Sequence, residues 1–247
     1  MSLAGRGVLV TRPRELAPGL AKRVEAAGGR AIIFPAIEIE PLPHAGPLHR
    51  YDMVVFVSPT AVKHGSRWLA ADAKTLAVGA GTAGELARHG VKNAVFPASG
   101  ADSEALLELP ELARVSGQHI LIVRGEGGRS LLGDTLAARG ARVEYAECYR
   151  RVRPRADAAP VRAAWAAGEL HAVTVNSGEA LQNLLELLGA EGSARLRDTP
   201  LFVPHPRVAA QAASAGVREV VVAGAGDDEM IERLVAYFSD DRERSRP

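Results

Sequence analysis

A repeated unit constrains this chain more than any other feature: a short apolar strand, a small polar or arginine-bearing turn, then a helix, set down in two matching halves. Gly7-Val8-Leu9-Val10-Thr11-Arg12-Pro13 opens the first half, and Ile120-Leu121-Ile122-Val123-Arg124-Gly125 opens the second. Arg12 and Arg124 are spaced as Gly28 and Gly140 are, the glycines that close the following helices. Val54-Val55-Phe56-Val57-Ser58-Pro59 corresponds to Ala172-Val173-Thr174-Val175-Asn176-Ser177 in the same manner. A third pair sets the run from Ala77 to Ala83 against that from Phe202 to Ala209, with Gly90 and Gly216 behind them. The offset between partners widens along the chain, as loop insertions make it do. Alternating strands and helices imply parallel, doubly wound sheets with right-handed crossovers. Continuous apolar strands such as Val8–Val10 and Met53–Val57 suit sheets covered on both faces.

The expected strands lie near 7–11, 30–34, 52–57, 75–78, 93–96, 119–123, 142–150, 171–175, 200–203 and 218–223. Helices are expected near 15–27, 59–71, 81–88, 103–109, 129–139, 178–188, 207–215 and 227–237, and the charged end from Ser239 is expected to fray. Two segments break the rhythm. Pro35-Ala36-Ile37-Glu38-Ile39-Glu40-Pro41-Leu42-Pro43 alternates apolar and acidic residues, and the run from Glu144 to Pro154 alternates similarly but ends basic. Opposite charges on two extended segments suit a paired two-stranded ladder. The fold class is therefore α/β, with two doubly wound parallel-sheet domains joined by that ladder. Residues 1–37 with 153–247 would form one discontinuous domain, 42–148 an inserted one, and 38–41 with 149–152 the ladder.

At 247 residues and 47% apolar composition, each half has enough apolar side chain for a core of its own. A formal charge of +1 argues against general nucleic-acid binding. The single Cys148 excludes an intrachain disulfide and a cysteine-rich metal site. The seven histidines show no ligand spacing, so no metal is expected. Neither a secretory pattern nor a membrane-spanning apolar run is present, so a cytoplasmic protein without a membrane partner is the expectation.

Where strand meets helix, the chain places Thr11-Arg12, Ser58, Gly81-Thr82, Ser103, Arg124, Asn176-Ser177 and Arg207. In open α/β sheets ligands collect at the carboxyl ends of strands. Helix N-termini there offer free N–H groups, and guanidinium groups grip carboxylates in a bidentate way. Such a set fits an anionic, carboxylate-rich ligand. The same Ser, Thr, Asp and Asn residues also serve simply as N-caps, and the arginines as surface charge. Gly79-Ala80-Gly81-Thr82-Ala83-Gly84 imitates a dinucleotide fingerprint, but no acidic residue ends the next strand. With no Walker sequence, nucleophile elbow or phospho-acceptor aspartate, any catalysis would rest on positioning and electrostatics. Tyr149, one of four tyrosines, lies on the ladder; a neutral phenol there can protonate a departing hydroxyl, or it can simply pack.

Taken in order, these motifs resemble the uroporphyrinogen-III synthases. The resemblance runs through Val10-Thr11-Arg12-Pro13, Phe34-Pro35-Ala36-Ile37-Glu38-Ile39 and Phe56-Val57-Ser58-Pro59-Thr60-Ala61-Val62. It continues through Ala77–Ala83, Asp102–Leu107, Val123-Arg124-Gly125, Tyr149, Val175–Glu179 and Val203-Pro204-His205-Pro206-Arg207. It implies two flavodoxin-like domains around a substrate cleft and a cofactor-free lyase acting on hydroxymethylbilane, a linear tetrapyrrole polycarboxylate. The enzyme would help expel the hydroxyl, and the resulting azafulvene would close through a spiro intermediate that inverts the last ring. Tyr149 matches the family tyrosine proposed to assist hydroxyl loss, Ser58 and Thr82 match small polar cleft residues, and Asn176 and Ser177 match the second polar turn. Many members carry a threonine where this chain has Pro206-Arg207-Val208, so Arg207 would bind a carboxylate in its place. A monomer is expected. Two rivals remain open: a non-catalytic two-domain binding protein for an acidic small molecule, and an interaction module of two receiver-like halves.

Overall fold

The computed structural model describes residues 2–43, 50–69, 72–224 and 226–244. Their Cα atoms group into two compact units, Met1–Glu38 with Val152–Pro247, and Ile39–Arg151. The first half of the chain gives strands β1 (Gly7–Val10), β2 (Arg30–Ile33), β3 (Glu38–Pro41), β4 (Met53–Phe56) and β5 (Lys74–Ala77). The second gives β6 (His119–Gly125), β7 (Arg142–Val152), β8 (Ala172–Thr174), β9 (Leu201–Val203) and β10 (Val220–Val222). Between them run α1 (Ala17–Ala26), α2 (Pro59–Gly65), α3 (Ala80–Arg88), α4 (Ser103–Leu107) and α5 (Pro110–Ala113). Then follow α6 (Leu131–Ala138), α7 (Ala159–Ala166), α8 (Gly178–Arg197), α9 (Pro206–Ser214) and α10 (Asp227–Arg244).

One sheet has the order β10-β9-β8-β1-β2, with parallel pairing throughout. The other has the order β3-β7-β6-β4-β5. Its β7-β6-β4-β5 portion is parallel, and Leu76 makes a further parallel bridge to Val95 beyond β5. At the opposite edge the Leu42 N–H donates to the Cys148 carbonyl, and Arg150 pairs with Glu40.

Period-2 alternation explains why the central strands are apolar without interruption. On β4 and β6, Val54, Phe56, Leu121 and Val123 enter the core on one face. The intervening Met53, Val55, Ile120 and Ile122 enter a separate core on the other, with Leu106, Leu112 and Leu136 from the helices. In the first unit Val8, Val10, Leu20, Val24, Phe202, Met230 and Leu234 share a core. Truncating such a buried Leu to Ala costs about 2–5 kcal/mol. Gly28 and Gly140 hold φ of 77° and 88° at the ends of α1 and α6, the left-handed conformation that ends a helix and suits a residue without Cβ.

Six elements depart from expectation. Helices α5 and α7 fall where no helix was expected, and α8 runs on past Leu188 to Arg197. Gly189, at φ 67°, breaks the helical backbone where the sequence had suggested an end, and the helix resumes beyond it. The strand expected at 93–96 is reduced to the single bridge at Val95. Helix α2 ends at Gly65, with one 3-10 turn to Trp68, and the rest of its expected span to 71 reaches positions outside the described residues. The end expected to fray continues α10 as far as Arg244. Among the described residues no helix is long and apolar enough to cross a membrane.

Candidate active site at the sheet switch points

In each sheet two neighbouring strands send the chain off in opposite directions, and in open α/β sheets ligands bind at the carboxyl ends of such strands. In the Ile39–Arg151 unit those strands are β4 and β6. A pocket of about 320 Å³ lies there, lined by Ser58, Ser103, Arg124, Arg129, Tyr149 and Arg151 among others. Its size sits at the small end for ligand sites.

Ser58 follows β4 in extended backbone and caps α2, its Oγ accepting the Ala61 N–H at 2.9 Å. The same Oγ lies 3.2 Å from the Tyr149 Oη. Tyr149 reaches this point because the β6–β7 register slips: Arg124 pairs with Glu147, but Gly125 pairs with Tyr149. A bulge of this kind re-aims a side chain. Only 2% of Tyr149 is exposed, and its ring lies against Gly125, where an added Cβ would come within 2.6 Å of Cζ. The His64 ring is 5.9 Å away, centroid to centroid. An Nη of Arg151 lies 3.5 Å from the Tyr149 Oη.

The arginines at this pocket differ in their partners. Arg124 donates from Nε and Nη to one Glu147 oxygen at 3.2 and 2.8 Å, and its guanidinium stacks 4.0 Å from the Tyr145 ring. Arg129 pairs with Glu104 at 2.5 Å. The hydrogen bond from Arg129 holds the Glu104 carboxyl below its ordinary range. Asp102 caps α4 by accepting the Ala105 N–H at 2.8 Å, and Ser103 stands at that helix start. Thr82 is buried in the first turn of α3, away from the pocket lining. Burial pushes the neighbouring Cys148 thiol up to about 11, so it is a poor nucleophile at neutral pH.

In the first unit the equivalent strands are β1 and β8. The Thr11 hydroxyl donates to the Thr174 carbonyl, and Thr174 returns a bond to Leu9. Thr11 is thus an inner tie between the strands, 1% exposed. Arg12 donates to the Asn176 Oδ1 at 3.1 Å and is ion-paired with Asp227. Ser177 caps α8 by accepting the Ala180 N–H at 3.1 Å. Arg207 stands exposed in the first turn of α9, its backbone N–H bonded to the His205 ring. The structure therefore gathers Ser58, Ser103, Arg124 and Tyr149 at one switch point, and Thr11, Arg12, Asn176 and Ser177 at the other. Among the described residues no three His, Cys, Asp or Glu side chains converge as metal ligands. Arg151 and Tyr145 also line the pocket and were not singled out as site residues in the sequence. Arg151 stands two residues from Tyr149 on one strand, the period-2 signal for a shared face. The register slip between Tyr145 and Tyr149 instead leaves Tyr145 on the other face, against Gly133 of α6.

The family model of uroporphyrinogen-III synthase HemD matches residues 19–232. The uroporphyrinogen-III synthase of Escherichia coli (strain K12) is 35% identical over 245 residues, covering 92% of this chain and 99% of that protein. The synthase of Salmonella typhimurium gives 35% over 246 residues with the same coverage. In fold the chain is similar to the uroporphyrinogen-III synthetase of Helicobacter pylori 26695, with a TM-score of 0.65 at 13% identity, over 94% of this chain and 99% of that one. It is also similar to a mutant uroporphyrinogen III synthase from the extremely thermophilic bacterium Thermus thermophilus, with a TM-score of 0.57 at 18% identity, over 98% and 100%. On the family match and the full-length kinship together, the chain belongs to the uroporphyrinogen-III synthase family.

Proposed function

We propose that this chain is a uroporphyrinogen-III synthase, closing hydroxymethylbilane to uroporphyrinogen III with loss of water and inversion of the terminal pyrrole. The observation that carries the reading is kinship over nearly the whole length of named synthases. That kinship favours an enzyme over a binding protein for an acidic ligand. A synthase of this kind needs a proton for the departing hydroxyl, cations and amides for the carboxylates, and little water near the cationic azafulvene.

Tyr149 is our candidate proton donor. As the terminal C–O bond breaks, the phenol proton joins the leaving hydroxide to give water, and the pyrrole nitrogen supplies the electron pair that forms the azafulvene. Support comes from its place in the pocket beside the Ser58 Oγ, in surroundings that limit water. Ser58, Ser103 and Arg124 would hold carboxylates at this switch point. Thr11, Arg12, Asn176, Ser177 and Arg207 belong to the other unit, where Arg12 and Arg207 are the candidate carboxylate partners and Thr11 holds the turn. Thr82 would act by packing the turn after β5. The first unit's strand order corresponds to the flavodoxin-like one. We read residues 1–37 with 153–247 and residues 42–148 as such domains, with 38–41 and 149–152 as the connecting ladder. Support comes from β3 lying beside β7 and from the Glu40–Arg150 pair.

The test is to supply enzymatically generated hydroxymethylbilane and resolve the product isomers. Uncatalysed closure gives the uninverted type I ring. Enrichment of type III above that background is expected, and a product mixture no different from the uncatalysed one overturns the assignment.

A further inference from the structure

We propose that Arg151 is a substrate-binding residue that grips a carboxylate of the bilane's hydroxymethyl-bearing ring, the ring whose substituent lies beside Tyr149. The inference rests on the reading of the pocket as the synthase site and names a contact within it. Three guanidinium groups line this pocket, from Arg124, Arg129 and Arg151. Two are already neutralised, Arg124 by Glu147 and Arg129 by Glu104. Among the described residues Arg151 has no carboxylate partner. Its neighbours on β7 and just beyond, Arg150 and Arg153, differ in this respect, since they pair with Glu40 and Glu186. An anion that enters the pocket meets one guanidinium whose charge is unanswered and two whose carboxylates it would have to displace. Displacement costs the existing ion pair, so the first grip falls to Arg151.

Its position defines what that grip can do. Arg151 and Tyr149 are two apart on one strand and so share a face. The guanidinium lies 3.5 Å from the phenol oxygen and 5.8 Å from the ring centroid. A carboxylate bound by Arg151 therefore belongs to the ring whose substituent lies at Tyr149. Arg151 is exposed and outside the apolar cores, so its replacement leaves the fold intact.

Such a contact is present before and during the reaction alike, so its loss raises KM and leaves kcat nearly unchanged. Arg151→Met should raise KM for hydroxymethylbilane about 10- to 100-fold, the range for one charge-assisted hydrogen-bonding partner. It should weaken binding of uroporphyrin III, read by quenching of tryptophan fluorescence, by a similar factor. Arg151→Lys should recover part of both, and the melting temperature should stay that of the parent. An unchanged KM and unchanged uroporphyrin affinity in Arg151→Met overturn the proposal. So does a fall in kcat at constant KM, which would make Arg151 a residue acting through Tyr149. The outcome is separable from the functional reading: if the parent forms no type III isomer the reading fails, whereas the uroporphyrin titration still reports on the Arg151 contact.

Discussion

At the scale of single residues, Tyr149 owes its place in the pocket to three local constraints. A register slip in β7 turns it toward the pocket, Gly125 leaves space for its ring, and Ser58 meets its hydroxyl. Tyr149→Phe should lower kcat by about two orders of magnitude, the lower end of the range for general acid help, with the fold retained. An unchanged turnover number in single-turnover kinetics would remove the phenol from the chemistry. Gly125→Ala tests the same point from the backbone side, because the added Cβ meets the ring at 2.6 Å and must push it aside. It should cost turnover comparably while Tyr149 itself remains. Tyr149 could be named as a candidate from the sequence because it stands out among few tyrosines on a suspected ladder. Arg151 could not, because a strand residue gains its direction from pleat and bulge, which no strand-to-helix turn signals. The buried Thr11 shows the converse limit: a hydroxyl at a strand end can be spent on tying two strands together.

At the scale of elements, the apolar strands and capped helices were legible because each carries a local signal. Ser58 and Ser177 sit at their helix starts as caps. Helix α7 lacks a clear start signal because Ala158, its cap residue, makes no side-chain hydrogen bond, and with Val161 and Trp165 as its large apolar residues its period is short. Helix α5 is a four-residue turn set off by Pro110. Within α3, an alanine at Gly84 meets nothing within 4 Å. Gly84→Ala should therefore stabilise the protein by about 0.5–1 kcal/mol through helix propensity and the unfolded chain's entropy, read as a higher urea midpoint at constant slope. A lower midpoint would show a contact at that face. At the amino ends of β4, β6 and β7, the Tyr51 hydroxyl donates to Glu144 at 2.7 Å, and the His119 ring meets the same carboxylate at 2.8 Å. Burial first, then the hydrogen bond and charge of Glu144, push the Tyr51 phenol from its ordinary 10.0 up to about 12. The folded chain then holds this proton more tightly than the unfolded one. Its contribution is complete below pH 10.0 and is lost as pH rises toward about 12. Urea melts in that window should show a steep fall in stability, and Tyr51→Phe should flatten it. An identical slope in the variant would assign the alkaline loss to other groups.

At the scale of the whole molecule, the two sequence repeats do not each make one sheet. Strands β1 and β2 of the first repeat join β8, β9 and β10 of the second, while β6 and β7 of the second join β4 and β5 of the first. Matching each strand with its repeat partner gives both sheets the same order, β2-β1-β8-β9-β10 and β7-β6-β4-β5 followed by the bridge at Val95. Each switch point is therefore built where one strand from each repeat meets the other, so Arg12 stands by Asn176 and Arg124 ends the strand beside β4, which leads to Ser58. This exchange has a folding consequence, because strand-to-strand pairing, more than proximity in sequence, decides what can fold alone. Residues 39–151 contain every strand of their parallel set, including central β4 and β6. Residues 152–247 lack β1 and β2, and with them α1, whose Leu20 and Val24 share the core with Met230 and Leu234. Expressed alone, the 39–151 fragment should melt cooperatively. The 152–247 fragment should lack a cooperative transition by circular dichroism until a peptide of residues 1–38 is added, and should then gain one that depends on peptide concentration, as mass action requires. Independent folding of 152–247, with no response to the peptide, would mean that β1 is dispensable to the sheet and that the exchange between repeats does not govern assembly.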